Sequence, residues 1–450
     1  MLHRPSPLYE RLLAAITRMP VIDTHEHTSG LTPASPRREP IAQLLNSYLP
    51  SDLASAGWDA ADAAVLTDET VPTADKWPIF ETIWRRAEHT AYGRVIKLAL
   101  QDAYGQGEIS LPALERMGEL LAQHDATAYQ GAYRAAGIRA ILVDALHWRV
   151  DTVAAYLQNK ADLPEPMRLM IPLRLFHVAP RQDEPTMHSW VGLQALRGWA
   201  DRDITSLDEF LEAVFVVLRR FQARGAAGIK DQSAYVRNLH YELPPRADAE
   251  RLFNRVLTDP RTVLGWPEAK PLDDFLFHQY MRFARELSMP VQLHTGHMAG
   301  NYNRVDKANA ALLTSVLELH DRVRFDLFHA NWPYAADLLF LAKNYPNVAI
   351  DMCWAPIIDP YYCVDLLRRS VGTVPHAKIH GFGGDHADAP EFSVAHLKIA
   401  RACIASALAQ LVEDSWLEEA EALDVAADWL HNNPNRFFGL GFATIRGHEA

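Results

Sequence analysis

"VIDTHEHTSG", Val21 to Gly30, decides how this chain is read. An apolar start gives way to His25-Glu26-His27, then to polar residues and a glycine. Residues two apart in a strand project on one side. His25 and His27 therefore face the same way, and Glu26 points opposite and drops out as a ligand candidate. Imidazole is a good ligand for zinc and similar ions, and two of them from one strand make half a site. Alone the pair says little in a chain of 20 histidines, because a solvated strand end would look the same.

The rest of the chain supplies the context. Short β-branched runs recur as "PVIDTH" (20–25), "GIRAILVD" (137–144), "RLMIPLRLF" (168–176) and "GAAGIKD" (225–231). "PVQLH" (290–294), "RVRFDLFH" (322–329), "NVAIDM" (347–352) and "AKIHGFG" (377–383) follow. Between them, stretches such as "LDEFLEAVFVVLRRFQARG" and "LDDFLFHQYMRFARELS" repeat apolar residues at three and four, the amphipathic helix period. "SLDEF" and "PLDDF" carry early-helix acids, and Gly225 sits where a helix should stop. Strands alternating with helices at this count predict an α/β chain folded as a (β/α)8 TIM barrel. One domain over residues 1–450 is expected. A long helical insertion after strand one, about 31–136, and a second near 235–270 interrupt it. "VAADWLHNNPNRFFGL" reads as a closing helix and its stop.

Composition narrows the function classes. The formal net charge of −12 argues against nucleic acid or an anionic membrane as the main partner. Three cysteines without pattern suggest no disulfide framework. No apolar stretch approaches the ~20 residues needed to span a bilayer. "MLHRPSPLYERLLAAITRMP" lacks the apolar run of a signal peptide. The expectation is a cytoplasmic soluble protein with a small-molecule substrate, a homo-oligomer being left open.

Polar residues fall where apolar strands end. His294 ends "PVQLH", His329 ends "VRFDLFH", Asp385 follows "KIHGFGG" and Lys230 ends "GAAGIK". In a barrel these ends converge on one mouth. A hydrophobic strand has no packing reason to finish repeatedly in histidine or aspartate, so a shared metal site is the better joint account. Lys230 alone would more commonly reach solvent or pair with a carboxylate.

This pattern resembles the amidohydrolase superfamily. "MPVQLHTGH", "FHANWPY", "YPNVAIDMCWAP", "NNPNRFFGL" and "TAYGR" are similar to the amidohydrolase-2-type metal-dependent hydrolases, which include the amidohydrolase-like half of glutamine-synthetase fusion proteins. Where many relatives read Gly-Ser-Asp, this chain has Gly383-Gly384-Asp385-His386. Strand one begins near residue 20, leaving no room for the N-terminal half of the β-sandwich found in many amidohydrolases.

The resemblance implies one or two divalent ions per chain, zinc foremost. His25, His27 and Asp385 would hold one ion, His294 and His329 a second, and a carbamylated Lys230 would bridge them. With one ion, His25, His27, His294 and Asp385 would ligate it, freeing His329 to orient substrate or shuttle protons. Asp385 would take the proton of an attacking water. Substrate candidates are His297 and His386 beyond the strand ends, Arg174 in strand three, Tyr235 and Arg237 after strand four, and Trp354 after strand seven. Arg174 either clamps a carboxylate or phosphate or pairs within the barrel. Trp354 either lines the pocket or packs under a loop. Asp23 is a partner behind the histidines or a buried strand acid. The implied reaction is hydrolysis of a C–N or C–O bond in a small molecule. The alternatives are a non-oxidative decarboxylase, a uronate-isomerase-like enzyme, or a catalytically silent binding module.

Overall fold

Eight parallel strands form the frame: β1 (Val21–Glu26), β2 (Ile138–Asp144), β3 (Met167–Pro172), β4 (Gly228–Asp231), β5 (Val291–Leu293), β6 (Phe325–Leu327), β7 (Val348–Asp351) and β8 (Ile379–His380). Each pairs with the next in chain order. The computed structural model describes residues 6–28, 39–122, 126–145, 148–176, 192–259, 261–387 and 389–449. Helices cover the outer face of the sheet, so both faces are buried and the strands read as apolar runs rather than alternations.

The ring is completed by backbone bonds past the end of β8. Thr24 N–H donates to the Phe382 carbonyl at 3.1 Å, Asp385 N–H to the His25 carbonyl at 2.7 Å, and His27 N–H to the His386 carbonyl at 2.8 Å. Barrel closure and the approach of Asp385 to the histidine pair are therefore one piece of geometry. At the opposite end Phe438 packs with Leu142 and Met170, while the Phe437 and Phe438 rings meet the ring of His380. The closing segment thus plugs the barrel floor and stops at Gly439, where φ is +66°.

Between β1 and β2, the described residues form seven helices, from Pro40–Leu44 to Ala126–Ala135. In the "TAYGR" motif, Thr90 caps the helix Ala91–Tyr104 by accepting from Gly93 N–H, and Tyr92 stacks toward Tyr48 and Trp354. Ser206 likewise caps Leu207–Ala223, accepting from Glu209 N–H.

The structure corrects two expectations. Arg174 is not in β3, which ends at Pro172, but in a tight helical turn, Leu173–Phe176, just beyond it. One helix, Pro390–Glu413, does reach membrane-spanning length and hydropathy, yet 78% of its apolar window is buried inside the molecule. It is long and apolar because it packs against the helices Pro7–Arg18, Ala91–Tyr104 and Pro360–Val371 at once.

Candidate active site

The strands deliver their terminal side chains to one place. His25 is on β1, with His27 one residue past it; His294 follows β5, and His329 lies two residues past β6. Asp385 sits in the turn after β8, with φ at +58°. One Asp385 oxygen lies 3.0 Å from His27 Nε2 and 3.5 Å from His25 Nε2, and the other lies 3.8 Å from His329 Nε2. His329 Nε2 is 3.1 Å from His294 Nδ1. His329 Nδ1 is 3.0 Å from the Cys353 carbonyl, which fixes that nitrogen as the protonated one. The structure thus brings His25, His27, His294, His329 and Asp385 together.

His329 is reached by a costly backbone. His329, Ala330 and Asn331 all have positive φ, at 58°, 49° and 50°. Such conformations cost on the order of 1–3 kcal/mol each and persist only when neighbours over-determine them. Here Tyr362 Oη donates to the Ala330 carbonyl at 2.7 Å, and Asn331 Oδ1 accepts from Ala310 N–H at 2.9 Å. Gly296 lies against the same turn: a Cβ there would fall 2.6 Å from the Asn331 and Trp332 backbone. The motifs "HTGH" and "FHANW" are thus two halves of one contact.

Burial sets the electrostatics. Desolvation, helped by the Lys230 charge, pushes His25, His294 and His329 well below the ordinary imidazole range. Burial would also lower His27, but Asp385 and Asp144 beside it outweigh that and raise it. Lys230 is buried, its ammonium 3.6 Å above the Phe328 ring and without a hydrogen-bond partner, and burial lowers its pKa.

The donor set fits a divalent cation. His25, His27 and Asp144 offer ligand atoms within 4.8 Å of one another, as do His329, Cys353 and Asp385. His25 Nδ1 is buried without a hydrogen-bond partner. Imidazoles converging with carboxylates in a dry setting are what borderline and hard divalent ions take.

Above these residues lies a cavity of about 280 Å³, lined by His25, His27, His294 and Asp385 together with Tyr48, Arg174 and Tyr235. A volume of this size accommodates a small molecule. Arg174 is 3.4 Å from Gln232 Oε1, and Gln232 in turn donates to Asp144. Tyr235 Oη accepts from Ala299 N–H at 3.0 Å. Arg237 also borders the cavity, but its guanidinium is paired with Asp274 and stacked on Tyr241.

The remaining expected residues lie outside this lining. Trp354 is buried behind Tyr48, the rings 4.2 Å apart, and faces His329 and His297. His297 packs against Trp332 and Trp354, and burial lowers it to about 4. His386 is buried among Tyr48, Phe392 and His396 and borders a smaller side cavity of about 160 Å³. Sequence reasoning missed Asp144, Cys353 and Tyr48. Asp144 ends the apolar β2 run by the same rule that found His294. Cys353 and Tyr48, which donates to the Asp385 carbonyl, gave no signal.

Residues 219–440 match the family model for Amidohydrolase. This part of the barrel, from the helix before β4 to the closing segment, is thus similar to the amidohydrolases. The matched span holds Lys230, His294, His329 and Asp385; His25 and His27 precede it. Protein fluG of Emericella nidulans is 28% identical over 222 residues, 47% of this chain and 25% of that protein. This chain's match thus spans a quarter of the relative's length. Among solved structures, this barrel is similar to uronate isomerase from Thermotoga maritima, with a TM-score of 0.77 at 14% identity, covering 96% of this chain and 98% of that one. Glucuronate isomerase from Caulobacter crescentus gives 0.75 at 18%, covering 98% and 96%. A proposed metal-dependent hydrolase from Lactobacillus casei gives 0.64 at 17%, covering 95% and 97%. At these identities the likeness is one of fold.

Proposed function

We propose that the chain is a metal-dependent hydrolase cleaving a C–N or C–O bond in a small molecule, its barrel acting as one catalytic unit. The observation that supports this most is Asp385 lying within 3.0–3.8 Å of His25, His27 and His329 at a buried point under a small cavity. His25, His27 and Asp385 would hold one divalent ion, zinc foremost, with His294, His329 and a carbamylated Lys230 available to a second. When bound, such an ion supplies Lewis acidity that polarises the bond under attack and acidifies water beside it. Asp385 accepts the proton of the attacking water and returns it to the leaving group. Arg174 takes a carboxylate of the substrate, and the Tyr48–Trp354 stack keeps bulk water from one side of the cavity. Tyr235 is the second polar contact for substrate.

The same residues suit a second reading. Two fold neighbours are uronate isomerases, and Arg174, which lines the same cavity as the histidines, would hold the carboxylate of a sugar acid during proton transfer between carbons.

The deciding experiment is metal analysis of protein purified without added zinc, followed by assay against small carboxylate-bearing amides, esters and uronates. The expected result is one or two ions per chain and turnover that follows metal content. No bound ion and no gain on reconstitution would overturn both readings. Product identity separates hydrolysis from isomerisation.

A further inference from the structure

Glu26 sits between His25 and His27 and is fully buried, yet it faces away from the cavity. Its Oε2 accepts from His386 N–H at 2.7 Å. Asp23 stands beside it, and its Oδ1 accepts from Gly384 N–H at 3.0 Å and from His25 N–H at 3.2 Å. Between these anchors runs the turn that carries Asp385, whose own N–H is bonded to the His25 carbonyl. Three successive amides of that turn, from Gly384 to His386, are thus each held by an acceptor of β1. A non-glycine residue at positive φ, such as Asp385, needs that degree of over-determination.

Gly384 has a reason that is not conformational: its φ lies outside the left-handed region. A Cβ at this position would collide with Glu26 Oε1 and lie 2.8 Å from Glu26 Cδ and 3.3 Å from Asp23 Oδ2. The carboxyl of Glu26 occupies the space a side chain at 384 would need. The choice of residue at 384 in this chain is therefore tied to the residue between the two histidines.

We propose that Glu26 is a positioning residue: it clamps the 384–386 turn onto β1, holds Asp385 against the histidine pair, and obliges position 384 to be glycine. The clamp is a property of the fold; its consequence for metal rests on the functional reading above.

The test is a double-mutant cycle on the full chain. Glu26→Gln keeps the volume and an acceptor for His386 N–H; Glu26→Ala removes both. Gly384→Ser adds the clash, and the double variant Glu26→Ala/Gly384→Ser relieves it. Two readouts are taken: hydrogen exchange of a peptide spanning residues 381–387 in metal-free protein, and Co²⁺ affinity. Expected are faster exchange and at least about tenfold weaker Co²⁺ binding for Glu26→Ala, a loss matching a buried amide left without its acceptor. Glu26→Gln should stay within about threefold of the parent, and Gly384→Ser should be less harmful in the Glu26→Ala background than alone. Unchanged exchange in Glu26→Ala, or equal damage from Gly384→Ser in both backgrounds, would overturn the clamp. Should Gly384→Ser fail to fold, Glu26→Ala against Glu26→Gln still decides. A parent protein that binds no Co²⁺ sinks the metal reading, while the exchange data judge the clamp separately.

Discussion

The mouth makes distinct demands on single residues. If Asp385 is the proton acceptor, Asp385→Asn should lower turnover by about a thousandfold, within the range general-base groups supply. Circular dichroism and the thermal midpoint should stay near the parent's; activity within tenfold of the parent would remove Asp385 from that role. The role proposed for Arg174 is binding rather than chemistry. Arg174→Gln should raise KM for carboxylate substrates by roughly 10- to 100-fold, the worth of a charged hydrogen bond, with kcat little changed. A fall in kcat at constant KM would place Arg174 in the chemical step instead. At this scale the sequence was most legible where an apolar strand ended in a polar residue. That rule found His25, His294 and His329, and applied once more it finds Asp144. It fails for Tyr48, which comes from a helical segment far from any strand, and for His297 and His386. Position beyond a strand end gives those two a place near the mouth but not a direction, and both turn into aromatic packing.

Among elements, the aromatic wall joins the helical region after β1 to the loop after β7. Tyr92 and Tyr48 stack on Trp354, whose backbone N–H donates to the Gly383 carbonyl at 3.0 Å. Trp354→Ala would leave a cavity where three elements meet. It should cost about 3–5 kcal/mol in urea denaturation; a loss under 1 kcal/mol would mean the wall is not a structural unit. All eight strands were legible because buried parallel strands are continuous apolar runs bounded by turns. Their ends were not, since the hydrophobic signal continues past the last ladder bond: "RLMIPLRLF" runs on into the turn that carries Arg174. The helix Pro390–Glu413 escaped notice as a long apolar element because scattered polar residues break its run. In the fold those residues find partners, Glu391 with Gln43 and Arg401 with the Met19 carbonyl.

At the scale of the whole molecule, the barrel interior carries a charge cluster beneath the mouth. Asp326 on β6 and Asp351 on β7 face His380 on β8, with His380 Nδ1 2.9 Å from Asp326 and 3.8 Å from Asp351. Burial would lower His380, but the two carboxylates outweigh it and raise it to about 9. A folded pKa above the unfolded value of 6.5 means this contribution is full below about pH 6.5 and is lost as pH rises through about 9. Burial raises Asp326 to about 7, so the pair is charged on both sides from about pH 7; His380→Gln should therefore cost about 3–5 kcal/mol near pH 7, and the stability gap to the parent should close as pH is raised to 10. A gap independent of pH would show that His380 is neutral in the fold. Viewed in time rather than space, the seam between β1 and the turn after β8 has another meaning. Its contacts join residues about 360 positions apart, among the most distant pairings the chain makes. Contacts of that separation are slow to form, because the intervening chain must be ordered first. During synthesis His25 and His27 emerge early and wait; their partner Asp385 follows only after most of the chain has been made. The candidate site is thus complete only when the ends of the barrel meet.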